Sequence, residues 1–221
     1  KVLPLGYAND DERRFRFRRE AEAAAKLDHP NIVPVHEVGD YEGQPYFSMK
    51  YVDGMPLSHR LAEGPLAPRD AAALLVPICR AIAEAHRCGV LHRDLKPANI
   101  LLDQQNRPLV ADFGLAKQFA VGSDISQTNA AVGTPSYMAP EQALGRADQI
   151  GGATDVDGLG AVLYATLLAR PPFQAATLVD TLRLVATQNP VAPRQMNPVI
   201  ERDLETICLK CLRKEPSSRY E

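Results

Sequence analysis

The sequence predicts an α+β protein in which a small β-containing portion leads into a larger helical one. Three observations carry that reading. Two short β-like runs, 32–38 and 45–50, lie near the start and are joined by turn-forming residues at 39–43. Asp53-Gly54 then breaks the pattern. Beyond it, apolar residues recur at helical rather than alternating spacing. The 221 residues are 45% hydrophobic and 24% charged, ordinary for a soluble globular chain and enough for one large domain or two fused lobes.

The first helix is expected over 9–27, with Phe17, Ala24 and Leu27 on its apolar face. Glu20 falls on that same face. An inward carboxylate needs a cation or hydrogen bonds, whereas a helix-surface pair with a neighbouring Arg needs neither burial nor a distant partner. Spacing alone leaves both open. Arg13, Arg14, Arg16, Arg18 and Arg19 are balanced by Asp10, Asp11, Glu12, Glu20 and Glu22, so this face is mixed and solvated rather than a nucleic-acid patch.

Pro68-Arg69-Asp70 opens an alanine-rich helix reaching 88, with Pro and Asp where a helix start favours them. Further helices are expected over 154–169, 175–186 and 200–213. Between the first two of these long helices lies 90–141, rich in Gly, Pro, Ser and Thr, and a stretch of that length is usually functional.

Several function classes are excluded early. Lys+Arg 25 against Asp+Glu 27 leaves −2, which argues against a chain that coats nucleic acid or an anionic membrane. Four cysteines, Cys79, Cys88, Cys208 and Cys211, are too few to staple a fold of this size and point to a reducing compartment. The charged opening is no signal peptide, and the longest apolar run, 158–169, is too short to span a bilayer. The chain begins without Met, Lys1-Val2-Leu3 starts like the tail of a strand, and Arg219-Tyr220-Glu221 ends without a helix stop signal. It therefore reads as a piece of something longer.

The chemistry concentrates in His92-Arg93-Asp94-Leu95-Lys96-Pro97-Ala98-Asn99, followed eighteen residues after Asp94 by Asp112-Phe113-Gly114. Phosphoryl transfer asks for oxygens to hold Mg²⁺, cations to absorb charge on the moving group and a carboxylate to orient the attacking hydroxyl. Two Asp, one Asn and one Lys beside the short strands 100–102 and 109–111 supply that set. Any one of these Asp residues alone reads as a turn former or cap. The whole string at fixed spacing does not.

With these residues in view, the chain resembles a protein kinase catalytic domain, similar to the bacterial eukaryotic-like (Hanks-type) Ser/Thr members. The likeness runs through Lys1-Val2-Leu3-Pro4, Arg19-Glu20-Ala21, His29-Pro30-Asn31-Ile32-Val33, the two loops above, 133–141, Thr154-Asp155-Val156 and Arg219. It implies a two-lobed fold, with a partial N-lobe and hinge over 1–52 and a C-lobe over 53–221 lacking its last helix. It further implies ATP and Mg²⁺ as cofactors and a protein Ser or Thr hydroxyl as acceptor. Nucleic acid is not an expected partner. The domain is expected to be cytoplasmic, with any membrane attachment lying in segments outside this chain.

By that resemblance Asp94 would orient the substrate hydroxyl, Lys96 would neutralise the γ-phosphoryl, and Asn99 and Asp112 would hold Mg²⁺. Glu20 would pair with Lys1. Met49 would guard the adenine pocket, Lys50, Tyr51 and Val52 would form the hinge, and Leu101 and Ala111 would line the floor. Residues 112–141 would be the activation segment, with Ser126 and Thr128 as phosphoacceptors, Arg93 as the cation that receives their phosphate, and Thr134 bonded near Asp94 and Lys96. Glu141 would pair with Arg219, and Asp155 would brace the backbone at His92-Arg93-Asp94.

Departures from the family are equally legible. The glycine-rich loop over the nucleotide phosphates would precede Lys1, so the fragment is expected to bind ATP poorly by itself. Pro77 falls inside a helix, a cost of about 3 kcal/mol unless the helix kinks. Asp157 replaces an aromatic residue, and Lys50 an acidic one at the hinge. Cys208 and Cys211 lack a second pair at metal spacing and read as core with Leu204, Ile207 and Leu212. His29, His36, His59 and His86 carry no ligand spacing, and His92 reads as a packed loop residue. Two rival readings stand beside the kinase. A catalytically impaired scaffold is disfavoured by intact Asp94, Lys96, Asn99 and Asp112. A small-molecule phosphotransferase is disfavoured by the peptide-receiving stretch 133–141.

Overall fold

The computed structural model describes residues 11–42, 44–113 and 135–221. Helix α1 (Asp11–Ala24) precedes an antiparallel hairpin of β1 (Val35–Tyr41) and β2 (Gln44–Met49). Val38 lies opposite Phe47 and Tyr41 opposite Gln44. The hairpin strands thus run further into 39–43 than the turn chemistry predicts, and Glu42 turns the chain at φ 51°. Phe17 of α1 meets Phe47 of β2 at a ring-centroid distance of 6.0 Å. With Ala21 they form a small core against which Val35, Val38 and Met49 pack.

A second antiparallel sheet orders β3 (Gly54–Pro56), β4 (Ile100–Asp103) and β5 (Pro108–Val110). Neither β3 nor the short helix behind it, α2 (Leu57–Ala62), is foreseen from composition. Gly54 is required where it stands, because a Cβ there would collide with the Leu102 carbonyl. The segment 31–34 stitches the two sheets together. Val33 N–H donates to the Val110 carbonyl at 2.9 Å, Val110 N–H to Asn31 at 2.8 Å, and Lys50 N–H to Pro34 at 2.9 Å.

The larger core is helical. Helix α3 (Pro68–Arg87) buries Ala71, Leu75, Ile78, Ile82 and Ala85, one face at three- and four-residue steps. It closes at Gly89, φ 74°, where Val90 N–H returns to the Ala85 carbonyl at 2.8 Å. The helix runs through Pro77, and the carbonyl deprived of a donor belongs to exposed Ala73, where water can serve it. Helix α4 (Pro140–Ala143) is one turn long. Helix α5 (Gly152–Leu168) is buried nearly all round, as its apolar sequence demands. Helices α7 (Pro193–Met196) and α8 (Arg202–Cys211) pack against it, while α6 (Leu178–Thr187) packs against α4 and the turn at Pro135–Tyr137. Thr177 caps α6, its hydroxyl accepting from Asp180 N–H at 3.0 Å, so that helix begins later than predicted.

Cys208, Cys211 and Leu212 face the core as predicted, but Ile207 is 44% exposed because α8 covers α5 with a narrower face. Ala24, Leu27 and Ile32 also belong to the larger core, so the end of α1 is anchored on the helical side. No described helix is long and apolar enough to cross a membrane.

Candidate active site

Three of the predicted residues form one hydrogen-bonded unit. Lys96 Nζ lies 2.7 Å from Asp94 Oδ2, and Asn99 Nδ2 donates to Asp94 Oδ2 at 3.0 Å and to the Asp94 carbonyl at 2.8 Å. The spacing makes this local. A single 3₁₀ turn over Pro97–Asn99, started by Pro97, folds Asn99 back onto Asp94. Both amide hydrogens of Asn99 are committed to Asp94, which turns its amide oxygen toward other partners.

The fourth predicted residue arrives from β5. Ala111 N–H donates to the Asn99 carbonyl at 2.9 Å, so Asp112 follows directly after a bond to the catalytic loop. Asp112 itself adopts φ 64°, a left-handed conformation unusual for a non-glycine residue and common at functional sites. Two oxygen donors of this type, one amide and one carboxylate, suit Mg²⁺, which keeps waters and takes its remaining ligands from phosphate. No cluster of three or more His, Cys, Asp or Glu able to hold a metal occurs among the described residues.

His92 organises the loop from behind. It is fully buried, with its ring 4.8 Å from that of Phe113. Nδ1 accepts from Asp94 N–H at 3.2 Å, which places the proton on Nε2, 2.9 Å from the Ala111 carbonyl. Burial pushes the His92 pKa down and prevails over the Asp155, Asp94 and Asp112 carboxylates that act to raise it. The ring is therefore neutral and structural, as the sequence reading expects.

Asp155 braces the loop as predicted. Its buried carboxylate accepts His92 N–H at 2.8 Å and Arg93 N–H at 2.6 Å. A third partner is not foreseen. His86, in the last turn of α3, places Nε2 2.8 Å from Asp155 Oδ2. It carries no motif of its own, and only the approach of α3 to α5 makes it a ligand of that carboxylate.

Glu20 finds a cation across the fold rather than on its own helix surface. Its Oε1 accepts from Arg93 Nη1 at 3.0 Å, an ion pair that joins α1 to the residue preceding Asp94. The proposed partner Lys1 lies outside the described residues, as do Ser126, Thr128 and Thr134. Arg93 adopts φ 61°.

The candidate nucleotide-pocket residues occupy adjoining strand ends. Met49 is half-buried opposite Val35, Lys50 is exposed, and Val52 is half-buried. Leu101 is half-buried in register with Pro56 and Leu109, and Ala111 is buried. The 31–34 stitch brings the two sets together, since Lys50 and Val110 both bond to it.

Behind the site, Glu141 and Arg219 form the predicted pair. Nη1 meets Oε1 at 2.9 Å and Nη2 meets Oε2 at 2.8 Å, with both side chains excluded from solvent. Burial drives the Glu141 pKa up, but Arg219, the backbone and Thr154 hold it below its ordinary value. Asp157 is buried beside them, 3.7 Å from Arg219 Nη2, and burial pushes its pKa up to about 7. Lys214 faces the same cluster. Its Nζ donates to the Val185 carbonyl at 2.7 Å and sits 4.0 Å above the Phe173 ring, and burial lowers its pKa to about 8.

The protein kinase domain family model matches residues 1–221. The chain is 39% identical over 226 residues to the serine/threonine-protein kinase PknB of Mycobacterium leprae, covering 100% of this chain and 36% of that protein. It is 41% identical over 226 residues to PrkC of Bacillus subtilis, covering 100% and 34% respectively. The chain thus spans about a third of the length of these curated relatives. Among solved structures, the Mycobacterium tuberculosis PknI kinase domain superposes with a TM-score of 0.78 at 33% identity, covering 100% of this chain and 79% of that one. On motif, site geometry and fold together, the chain belongs to the protein kinase domain family.

Proposed function

We propose that this chain is the catalytic domain of a Ser/Thr protein kinase that transfers the γ-phosphoryl of ATP to protein hydroxyls. The observation that supports it best is the Asp94–Lys96–Asn99 unit, held within 3.0 Å and tied through Ala111 to Asp112. In this reading Asp94 accepts the hydrogen bond of the acceptor hydroxyl, aims its oxygen and takes its proton as the new bond forms. Lys96, paired to the same carboxylate, is placed to offset negative charge on the group in transfer. Asn99 and Asp112 would hold Mg²⁺, which neutralises charge across the phosphates when bound.

The adenine end is assigned to Met49, Lys50, Val52, Leu101 and Ala111, with Lys1 and Glu20 serving the phosphates. Arg93, Ser126, Thr128 and Thr134 are assigned to control of the activation segment. The N-lobe is taken as 1–52 and the C-lobe as 53–221. The domain is taken as cytoplasmic and its acceptor as a protein, and any membrane attachment of the parent lies outside this chain.

Transfer of labelled phosphate from ATP to a basic acceptor protein, by the full-length protein and its Asp94→Asn variant, tests the assignment. Loss of a general base costs about 10²–10⁴-fold, so the variant is expected to fall by at least the lower figure with its melting temperature preserved. Equal rates would remove Asp94 from this role.

A further inference from the structure

Gln142 is the N3 residue of α4, and half of its amide has a local explanation. Its Oε1 accepts Ala139 N–H at 3.1 Å, reaching back to the N-cap backbone as a capping residue does. The other half does not serve α4. Gln142 Nε2 crosses to the catalytic loop and donates to the Arg93 carbonyl at 2.8 Å. The orientation of the amide is set by its partners, since one is a donor and the other an acceptor.

That carbonyl belongs to the peptide unit immediately before Asp94. The N–H of the same unit donates to His92 Nδ1 at 3.2 Å, and the preceding N–H, of Arg93, donates to Asp155 Oδ1 at 2.6 Å. Arg93 sits at φ 61°, a strained conformation for a residue that carries a Cβ, and one that persists only where its surroundings over-determine it. Asp155 and His92 hold its two flanking N–H groups, and Gln142 alone holds the carbonyl among the described residues. The same side chain holds Ala139, within the stretch 133–141 that the family resemblance assigns to the peptide acceptor.

We propose that Gln142 is a positioning residue that couples the acceptor-binding stretch to Asp94 by fixing the Arg93–Asp94 peptide plane. The inference rests on the role given to Asp94 above. Without the Nε2 bond, the plane can rotate about the strained Arg93 and carry the Asp94 carboxylate off the hydroxyl it must meet. Misplacement by about 1 Å costs on the order of 10²-fold in rate.

The test compares Gln142→Glu, Gln142→Met and Asp94→Asn in the full-length protein, with labelled ATP and myelin basic protein as probe substrate. Gln142→Glu keeps an acceptor for Ala139 but opposes the Arg93 carbonyl with an oxygen. Gln142→Met fills the same volume with no hydrogen bond. Both are expected to lower kcat by about tenfold to a hundredfold, with KM for ATP within about twofold and melting temperature within about 2 °C. A purely structural cap would show Gln142→Glu near parental kcat and Gln142→Met lowered in melting temperature, and that result overturns the proposal. Parental kcat in both variants while Asp94→Asn is inactive overturns it alone. Parental kcat in Asp94→Asn overturns it together with the reading on which it stands.

Discussion

Arg93 and Glu20 meet at 3.0 Å, joining helix α1 to the residue immediately before Asp94 although 73 positions separate them in the chain. The carboxylate that sequence periodicity places on the wrong face of α1 therefore has a cation, and the cation comes from the catalytic loop rather than from a neighbouring turn. The guanidinium proposed to receive a phosphorylated activation segment thus also contacts α1 through Nη1. The ion pair is only partly shielded, at 29% and 24% side-chain exposure. A double-mutant cycle of Glu20→Gln and Arg93→Met should give a coupling of about 0.5–1 kcal/mol in denaturant unfolding. It should shrink in 1 M salt. A coupling that persists undiminished in salt would contradict the partly solvated pair described here.

The Glu141–Arg219 pair behaves differently because it is dry. Arg219 also donates to the carbonyls of Ala153, Arg213 and Lys214, so its loss strips three carbonyls in two segments of a shared donor. Arg219→Met should destabilise by about 3–5 kcal/mol, since it leaves buried carboxylates without their cation. Adding Glu141→Gln should recover part of that loss. If the double variant is the sum of the singles, the two side chains do not act as a pair.

Asp157 sets a pH dependence of known sign. Its folded pKa of about 7 lies above the ordinary 3.8, so the buried site favours the neutral acid. Its contribution is fully present below pH about 4, fades as the unfolded chain ionises first, and is lost once pH passes about 7. Arg219 and Lys214 face it and temper the shift, whereas the Glu141 carboxylate adds to it. Asp157→Asn, which mimics the neutral form, should match the parent at pH 4 and exceed its stability at pH 8 by a few kcal/mol, about 4 at most. Unfolding of both proteins across this range reads the difference directly, and a gap independent of pH would rule out ionisation as its source.

Gly160 marks the closest approach of α5 to α8. A Cβ there would lie 2.5 Å from Cys211 Cβ and 3.2 Å from Leu212 Cγ. Gly160→Ala should cost about 1–3 kcal/mol in stability through overpacking. Adding Cys211→Ala should bring no relief, because the collision is with the retained Cβ. Recovery in that double variant would place the strain on the sulfur instead.

The sequence announces what neighbouring residues can build with one another. Asp94, Lys96 and Asn99 lie two and five positions apart, so a single proline-started turn assembles them and their spacing is readable as chemistry. The long helices are legible for the same reason, since one apolar face recurs every few residues. Strand β3 and helix α2 are not, because three to six residues with no periodicity gain their structure from pairing with β4 and from burial of Leu57 and Leu61.

Glu141–Arg219 and the bracing by Asp155 are anticipated only because a family pattern supplies the missing distance. Where no such pattern speaks, the chain is silent. The tertiary structure alone decides that Glu20 meets Arg93, that His86 completes Asp155, and that Gln142 reaches the Arg93 carbonyl 49 positions away. It also decides that Asp157 must share a dry pocket with two cations. Local geometry follows from bonds along the backbone, but which distant carboxylate, imidazole or amide arrives at a given atom depends on how whole helices close on one another, and no short window of residues contains that information.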